Sequence, residues 1–342
     1  MKDPNTLHHT QYFGNYQALA PRLPSPDSGV KAMSLVRKAA FFAYLNTVQA
    51  SCFVSFIALL LGFRVDHGFV AAMLLRLLRT RFATFAGSCQ VLDTGNPVVY
   101  LSNHRSWGDF WTDCALLGGP SFISRALVAV AIPGSALWGH FAGWLWFFAR
   151  GAHHEGGAVA WMTNFLSQRI RNFASKGVLL YPEGTRSLLP EGLPLKAGAL
   201  AAAYQLGWPV QVVITTNKER VTAERSFAVN FGTLCSTAVS APVYPQGSAS
   251  LEAFLQTVRA TWTQTWQEAY HGAVTLREHA LLPGAKAKAV TFSPSGTWQL
   301  HLLRLALALV ILLFLRFRTR RTRSQKEEKE HEDAPAMGNG CT

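Results

Sequence analysis

Apolar positions along the chain fall into distinct textures, each predicting a different kind of element. From Ala39 to Phe63, 25 consecutive residues carry no charge, with Lys38 and Arg64 closing the two ends. Such a run is long enough to cross a hydrocarbon core of about 30 Å. After a break at Asp66-His67-Gly68, a shorter apolar stretch, Phe69–Leu78, is interrupted by Arg76 and followed by Arg79 and Arg81. Asn46, Thr47, Gln49, Ser51 and Ser55 make the first run wetter than a typical single span. Residues 33–82 therefore predict one of two arrangements: a spanning helix, or a helical hairpin lying in one leaflet with its arginines on lipid phosphates. A further apolar stretch, Leu305–Leu315, lies near the C-terminus.

From residue 83 to about 279 the texture changes to short alternating strands and helices. Gln90–Leu92 and Pro97–Leu101 read as strands on either side of the turn residues Asp93-Thr94-Gly95-Asn96. Trp144–Phe148, Gly177–Tyr181 and Val210–Thr215 are short apolar runs suited to a buried sheet. Ala158–Ser175 and Lys196–Leu206 have helical texture, and Leu251, Phe254, Leu255, Val258, Trp262 and Trp266 share one helix face as a core stripe. The expected fold class is α/β: a mixed, partly parallel sheet flanked by helices, with an N-terminal helical membrane element and a C-terminal apolar helix. The expected division is a polar leader (1–32), a membrane-associated helical pair (33–82), the α/β domain (83–279), a Pro- and Gly-bearing linker (280–298), a C-terminal hydrophobic segment (299–317) and a basic then acidic tail (318–342).

Composition narrows the class. Of 342 residues, 49% are hydrophobic and only 15% charged, which excludes a disordered or acidic solvating chain. Thirty-two basic residues against 19 acidic ones give a formal charge of +13 and a field that attracts phosphate-bearing partners. The apolar runs favour anionic lipid among these over nucleic acid, and the block Arg316, Arg318, Arg320, Arg321 and Arg323 fits such a surface. Cys52, Cys89, Cys114, Cys235 and Cys341 are odd in number, form no CxxC pair and read as reduced thiols. The polar first thirty residues predict no cleavable signal peptide. Arginines follow both the first and the last apolar region. The simplest topology leaves the N-terminal pair in one leaflet and the domain on the cytosolic side of a membrane, the endoplasmic reticulum first among the candidates.

The chemistry concentrates in two stretches. In Leu101-Ser-Asn-His-Arg-Ser-Trp-Gly-Asp109, His104 follows an apolar strand and Asp109 begins the next helix, so a turning chain brings the carboxylate to the imidazole. Such a pair fixes the tautomer and stabilises the imidazolium formed on proton uptake. Ser106 is the competing nucleophile, but its place inside the turn suits a loop brace. In Tyr181-Pro-Glu-Gly-Thr-Arg-Ser187, Gly184 lets backbone NH groups approach a ligand, Thr185 adds a hydroxyl, and Arg186 presents a fork suited to phosphate. Arg150 ends the apolar strand Trp144–Phe148, and Lys196 opens a helix. His153-His154-Glu155 lacks partners at metal-ligand spacing, so no metal site is expected.

With these four features in this order, the sequence resembles the lysophosphatidic acid acyltransferase family of glycerolipid acyltransferases. The family's first block, Asn-His-x-Ser-x-x-Asp, matches Asn103 to Asp109, and its third, Phe-Pro-Glu-Gly-Thr-Arg, matches Pro182 to Arg186 with Tyr181 in place of phenylalanine. The second and fourth blocks match Gly143–Arg150 and Trp208-Pro209-Val210 more loosely. The resemblance covers about residues 83–270. It implies His104 as general base and Asp109 as its orienting partner, supported by Asn103 and Ser106. It also implies an acceptor site shaped by Glu183, Gly184, Thr185 and Arg186, with Arg150 and Lys196 beside it. The implied reaction moves a fatty acyl group from acyl-CoA, a co-substrate, to the free hydroxyl of lysophosphatidic acid to give phosphatidic acid, with no cofactor and no covalent intermediate. Two alternatives stand beside it: another acceptor, such as glycerol 3-phosphate or a lysocardiolipin, and a non-catalytic basic protein of the membrane surface.

Overall fold

The computed structural model describes residues 30–92, 97–148, 156–173, 177–189, 191–272, 276–278, 289–292, 299–314 and 316. Eight strands form the central sheet: β2 (Arg81–Phe85), β3 (Val98–Ser102), β4 (Ser121–Arg125), β5 (Leu145–Phe148), β6 (Gly177–Leu180), β7 (Val210–Thr216), β10 (Leu234–Val239) and β11 (Leu276–Glu278). Two short ladders lie outside it, β1 (Phe63–Val65) with β12 (Val290–Phe292), and β8 (Thr222–Ala223) with β9 (Ala228–Val229). In the main sheet the order is β11-β2-β10-β7-β3-β6-β4-β5. Pairing is parallel throughout the run β7-β3-β6-β4-β5 and between β2 and β10, and antiparallel for β10 with β7 and β11 with β2. The expected mixed α/β class is the one observed.

Burial explains the topology. Every residue of β3 and β6 is buried, as are all of β7 except its last. Strands covered on both faces read as unbroken apolar runs, and parallel pairing follows from the helical crossovers that cover them. Helix Leu251–His271, capped by Ser250 accepting from the Ala253 N–H, lays Phe254, Leu255, Val258, Trp262 and Trp266 against the sheet. Strands β3, β6 and β7 are adjacent and run the same way, so the loops leaving Ser102, Leu180 and Thr216 emerge together at one edge. Ligands of open α/β sheets sit outside this carboxyl edge.

The expected strand Gln90–Leu92 is irregular instead. The Gln211 side chain takes over its backbone groups, accepting from the Leu92 N–H (2.8 Å) and donating to the Gln90 carbonyl (2.9 Å), while the Tyr100 hydroxyl donates to Leu92 O (2.6 Å). The turn Asp93–Asn96 between the two expected strands lies outside the described residues, as do Cys341 and most of the linker and tail.

The N-terminal region divides in a way its apolar pattern did not show. Helix Val30–Leu60 buries Phe41, Tyr44, Val48, Cys52 and Leu59 at helical spacing and leaves Phe42, Phe53, Val54 and Ile57 exposed. It docks on helix Pro133–Ala142, where the Gly134 N–H donates to Gln49 Oε1 (2.9 Å). By length and composition, its stretch Leu35–Leu60 is able to cross a membrane. The second apolar helix, His67–Leu77, is a core helix. Val70, Ala71, Ala72, Leu74 and Leu75 are buried in the same cluster as Trp111, Cys114 and Ala115 of helix Asp109–Leu117. Near the other end of the chain, helix Gln299–Phe314 exposes Leu305, Leu309, Ile311 and Leu312.

Close packing of β3 against β6 leaves no room at Gly177, where an added Cβ would run into the Val98 carbonyl oxygen and lie 3.1 Å from the Tyr100 ring. Gly177→Ala is expected to destabilise the domain by about 1–3 kcal/mol, read as a lowered thermal midpoint.

Candidate active site

The turn after β3 is organised around one carboxylate. Asp109 is fully buried as the first residue of its helix. It accepts from the backbone N–H groups of Arg105 and of Ser106 (2.8 Å), from the Ser106 hydroxyl (3.1 Å) and from His104 Nδ1 (3.0 Å). Burial alone would raise its pKa. The charge of Lys218, the His104 contacts and the Ser106 N–H outweigh burial and hold the carboxyl below its ordinary range. An ionised carboxylate only accepts, so the proton of neutral His104 sits on Nδ1 and Nε2 carries the free lone pair. The His104 side chain is 24% exposed.

The imidazole is clamped from its face as well. Tyr181 stacks on it with ring centroids 4.1 Å apart and planes 12° from parallel. At the position where the family block has phenylalanine, the Tyr181 hydroxyl donates to Asp113 Oδ2 (3.0 Å). Burial, then the Asp113 and Asp109 charges, push this phenol well above its ordinary pKa, which keeps it a donor. Beneath lies a fully buried ion pair: Lys218 Nζ meets both Asp113 oxygens (3.1 and 2.9 Å) and donates to Ser102 Oγ (3.0 Å). Two carboxylates one helical turn apart, Asp109 and Asp113, thus share one cation.

The second loop is tied to the first at several points. Glu183 is buried, and its oxygens accept from the backbone N–H groups of His104 (2.9 Å) and Leu193 (2.9 Å). Burial dominates its pKa, which is raised. The Ser187 N–H donates to the His104 carbonyl (2.9 Å), and Arg105 Nη1 donates to the carbonyls of Ser187 and Leu189 (2.8 Å each). Asn103 is fully buried and bridges β7, donating to Thr215 O (3.0 Å) and accepting from Thr215 N–H (3.1 Å). Ser106 is likewise buried, with its hydroxyl accepting the Gly108 N–H (3.0 Å), as suits a brace.

The structure therefore brings His104, Asp109, Asn103, Ser106, Glu183, Gly184, Thr185 and Arg186 to one place. Glu183 lies beneath the surface, with both oxygens on backbone donors. Gly184 has φ +71°, and the exposed Lys196 side chain lies over it so closely that a Cβ there would be 2.8 Å from Cε. Lys196 precedes the helix it was expected to open, which starts at Gly198. Thr185 is exposed, and Arg186 is 37% exposed at the rim. Arg150 lies outside the described residues, as do His153, His154 and Glu155. No group of His, Cys, Asp and Glu residues able to hold a metal occurs among the described residues.

Sequence reasoning passed over Lys218, Asp113, Arg105 and Glu224. Asp113 carried a usable signal, since carboxylates at i and i+4 repel on a helix face unless a cation intervenes. Lys218, one basic residue among 32 Lys and Arg, carried none.

Among solved structures, the 1-acyl-sn-glycerophosphate (LPA) acyltransferase PlsC from Thermotoga maritima is similar at 17% sequence identity. The alignment covers 71% of this chain and 100% of that one, with a TM-score of 0.49. No curated protein matches the sequence. Residues 86–216 match the family model described as Acyltransferase, a span that contains both the His104 and the Arg186 loops. On that match, residues 86–216 are similar to an acyltransferase domain.

Proposed function

We propose that the chain transfers a fatty acyl group from acyl-CoA to the free hydroxyl of lysophosphatidic acid, forming phosphatidic acid in phospholipid biosynthesis. The carrying observation is the His104 ring, held by Asp109 and stacked on Tyr181, directly beside the turn that bears Arg186. His104 Nε2 takes the proton of the lipid hydroxyl as its oxygen attacks the thioester carbonyl. Collapse of the tetrahedral intermediate breaks the carbon–sulfur bond, and the imidazolium returns the proton to the departing CoA thiolate. Asp109 stabilises the imidazolium in between. Arg186, with Lys196 lying over the neighbouring Gly184, offers cations to the acceptor's phosphate, and Arg150 is proposed as a further cation for it. The chemistry needs no metal or cofactor.

A membrane setting suits this substrate. The exposed residues Phe42, Phe53, Val54 and Ile57 of the first helix, and Leu305, Leu309 and Ile311 of the C-terminal one, offer apolar surface for lipid tails. Placing the domain on the cytosolic face of the endoplasmic reticulum gives it access to soluble acyl-CoA.

The direct test is transfer from labelled acyl-CoA in liposomes holding lysophosphatidate, glycerol 3-phosphate or other lysophospholipids. Phosphatidate as the main product supports the proposal, and acylation of glycerol 3-phosphate alone overturns the choice of acceptor. His104→Ala should lower turnover about 10²–10⁴-fold with liposome association retained. Asp109→Asn should lower kcat far more than it raises KM. Because the folded pKa of Asp109 lies below its unfolded value, its stabilising contribution is present above the ordinary carboxylate range. That contribution is lost as pH falls through the depressed value. The Asn variant should therefore lose less stability on acidification, measured by urea unfolding across pH. Arg186→Lys replaces a fork with a point charge and should raise the acceptor KM about tenfold while sparing kcat.

A further inference from the structure

The guanidinium assigned to the acceptor's phosphate already holds a partner. Arg186 Nη1 forms an ion pair with Glu224 Oε1, and its guanidinium carbon lies 5.3 Å from the centroid of the exposed Trp107 ring. Glu224 is fixed independently, because its other oxygen accepts the Trp107 backbone N–H (2.7 Å). The carboxylate arrives on a separate piece of chain, the hairpin in which β8 and β9 pair through Thr222↔Val229 and Ala223↔Ala228. At its tip Phe227 has φ +48°, a conformation uncommon for a bulky residue. The Phe227 ring is seated against Phe41 (5.7 Å) and Phe42 (5.9 Å) of the long N-terminal helix. The hairpin is thus anchored from outside the sheet, and Glu224 is held at the rim by contacts apart from Arg186.

Acyl transfer alters the hydroxyl end of the acceptor and leaves its phosphate untouched. A cation that reads only the phosphate therefore grips product as firmly as substrate. We infer that Glu224 competes with the lipid phosphate for Arg186, weakening both complexes and retaking the guanidinium as product leaves. This rests on the acyltransfer reading above. Trp107 keeps Arg186 stacked at the rim while the two anions exchange, so loss of Glu224 frees the fork without releasing it.

The test is equilibrium binding of the full chain to lysophosphatidate, phosphatidate and uncharged monoacylglycerol, each in neutral detergent micelles. Glu224→Gln keeps an acceptor for the Trp107 N–H and removes the charge. It should tighten both phosphate lipids by about two- to fivefold, the scale of a partly exposed ion pair, and leave monoacylglycerol unmoved. Product inhibition by phosphatidate should strengthen by the same factor. Glu224→Ala should shift binding in the same direction if the Gln variant fails to fold. Unchanged or weaker phosphate-lipid binding in a folded variant overturns the inference, as does an equal shift for monoacylglycerol or a parent that binds neither phosphate lipid. A parent that binds both yet transfers no acyl group overturns the acyltransfer reading and leaves the competition for Arg186 standing.

Discussion

A charge removed from water is the constraint around which the site is built. Asp109 has no exposure, and an ionised carboxylate in such a place is tolerated only when its lone pairs are met and a countercharge lies close. Two backbone N–H groups, one hydroxyl and one imidazole meet the first need, and Lys218 meets the second. Each donor comes from the turn after β3, so the turn has one conformation that satisfies the carboxylate. His104 is oriented as a consequence.

That turn is in turn gripped by its neighbours. Asn103 joins it to β7, Glu183 and Ser187 join it to the loop after β6, and Arg105 reaches across to the carbonyls of Ser187 and Leu189. Three adjacent parallel strands deliver three loops to one edge, and polar side chains sew the loops together. Rigidity at the base is what an imidazole needs if its free nitrogen is to meet a hydroxyl at a defined angle.

Much of this was legible in the residues. Runs of mainly apolar residues marked β5, β6 and β7, as expected of largely buried strands. The His104–Asp109 pairing followed from a strand end meeting a helix start. Other parts were hidden for physical reasons. The apolar pattern of 67–77 is the same whether lipid or protein covers it, and only the fold reveals helix Asp109–Leu117 as the cover. Gln90–Leu92 has strand-like residues, but the Gln211 amide supplies hydrogen bonds that no neighbouring strand provides. Glu183 sits in the same block as Arg186, but its oxygens are met by backbone groups from two places in the chain, His104 and Leu193, which the block alone did not reveal.

The end of the first helix is fastened to a segment far downstream in sequence. Arg304 donates to the carbonyls of Leu59 (2.9 Å) and Leu60 (3.0 Å), the last residues of the first helix, while β1 pairs with β12. Helix ends leave carbonyls without intrahelical partners, and here the partner comes from more than 200 residues downstream. The first helix emerges early in synthesis, yet the carbonyls of its final turn wait for Arg304, 244 residues beyond Leu60.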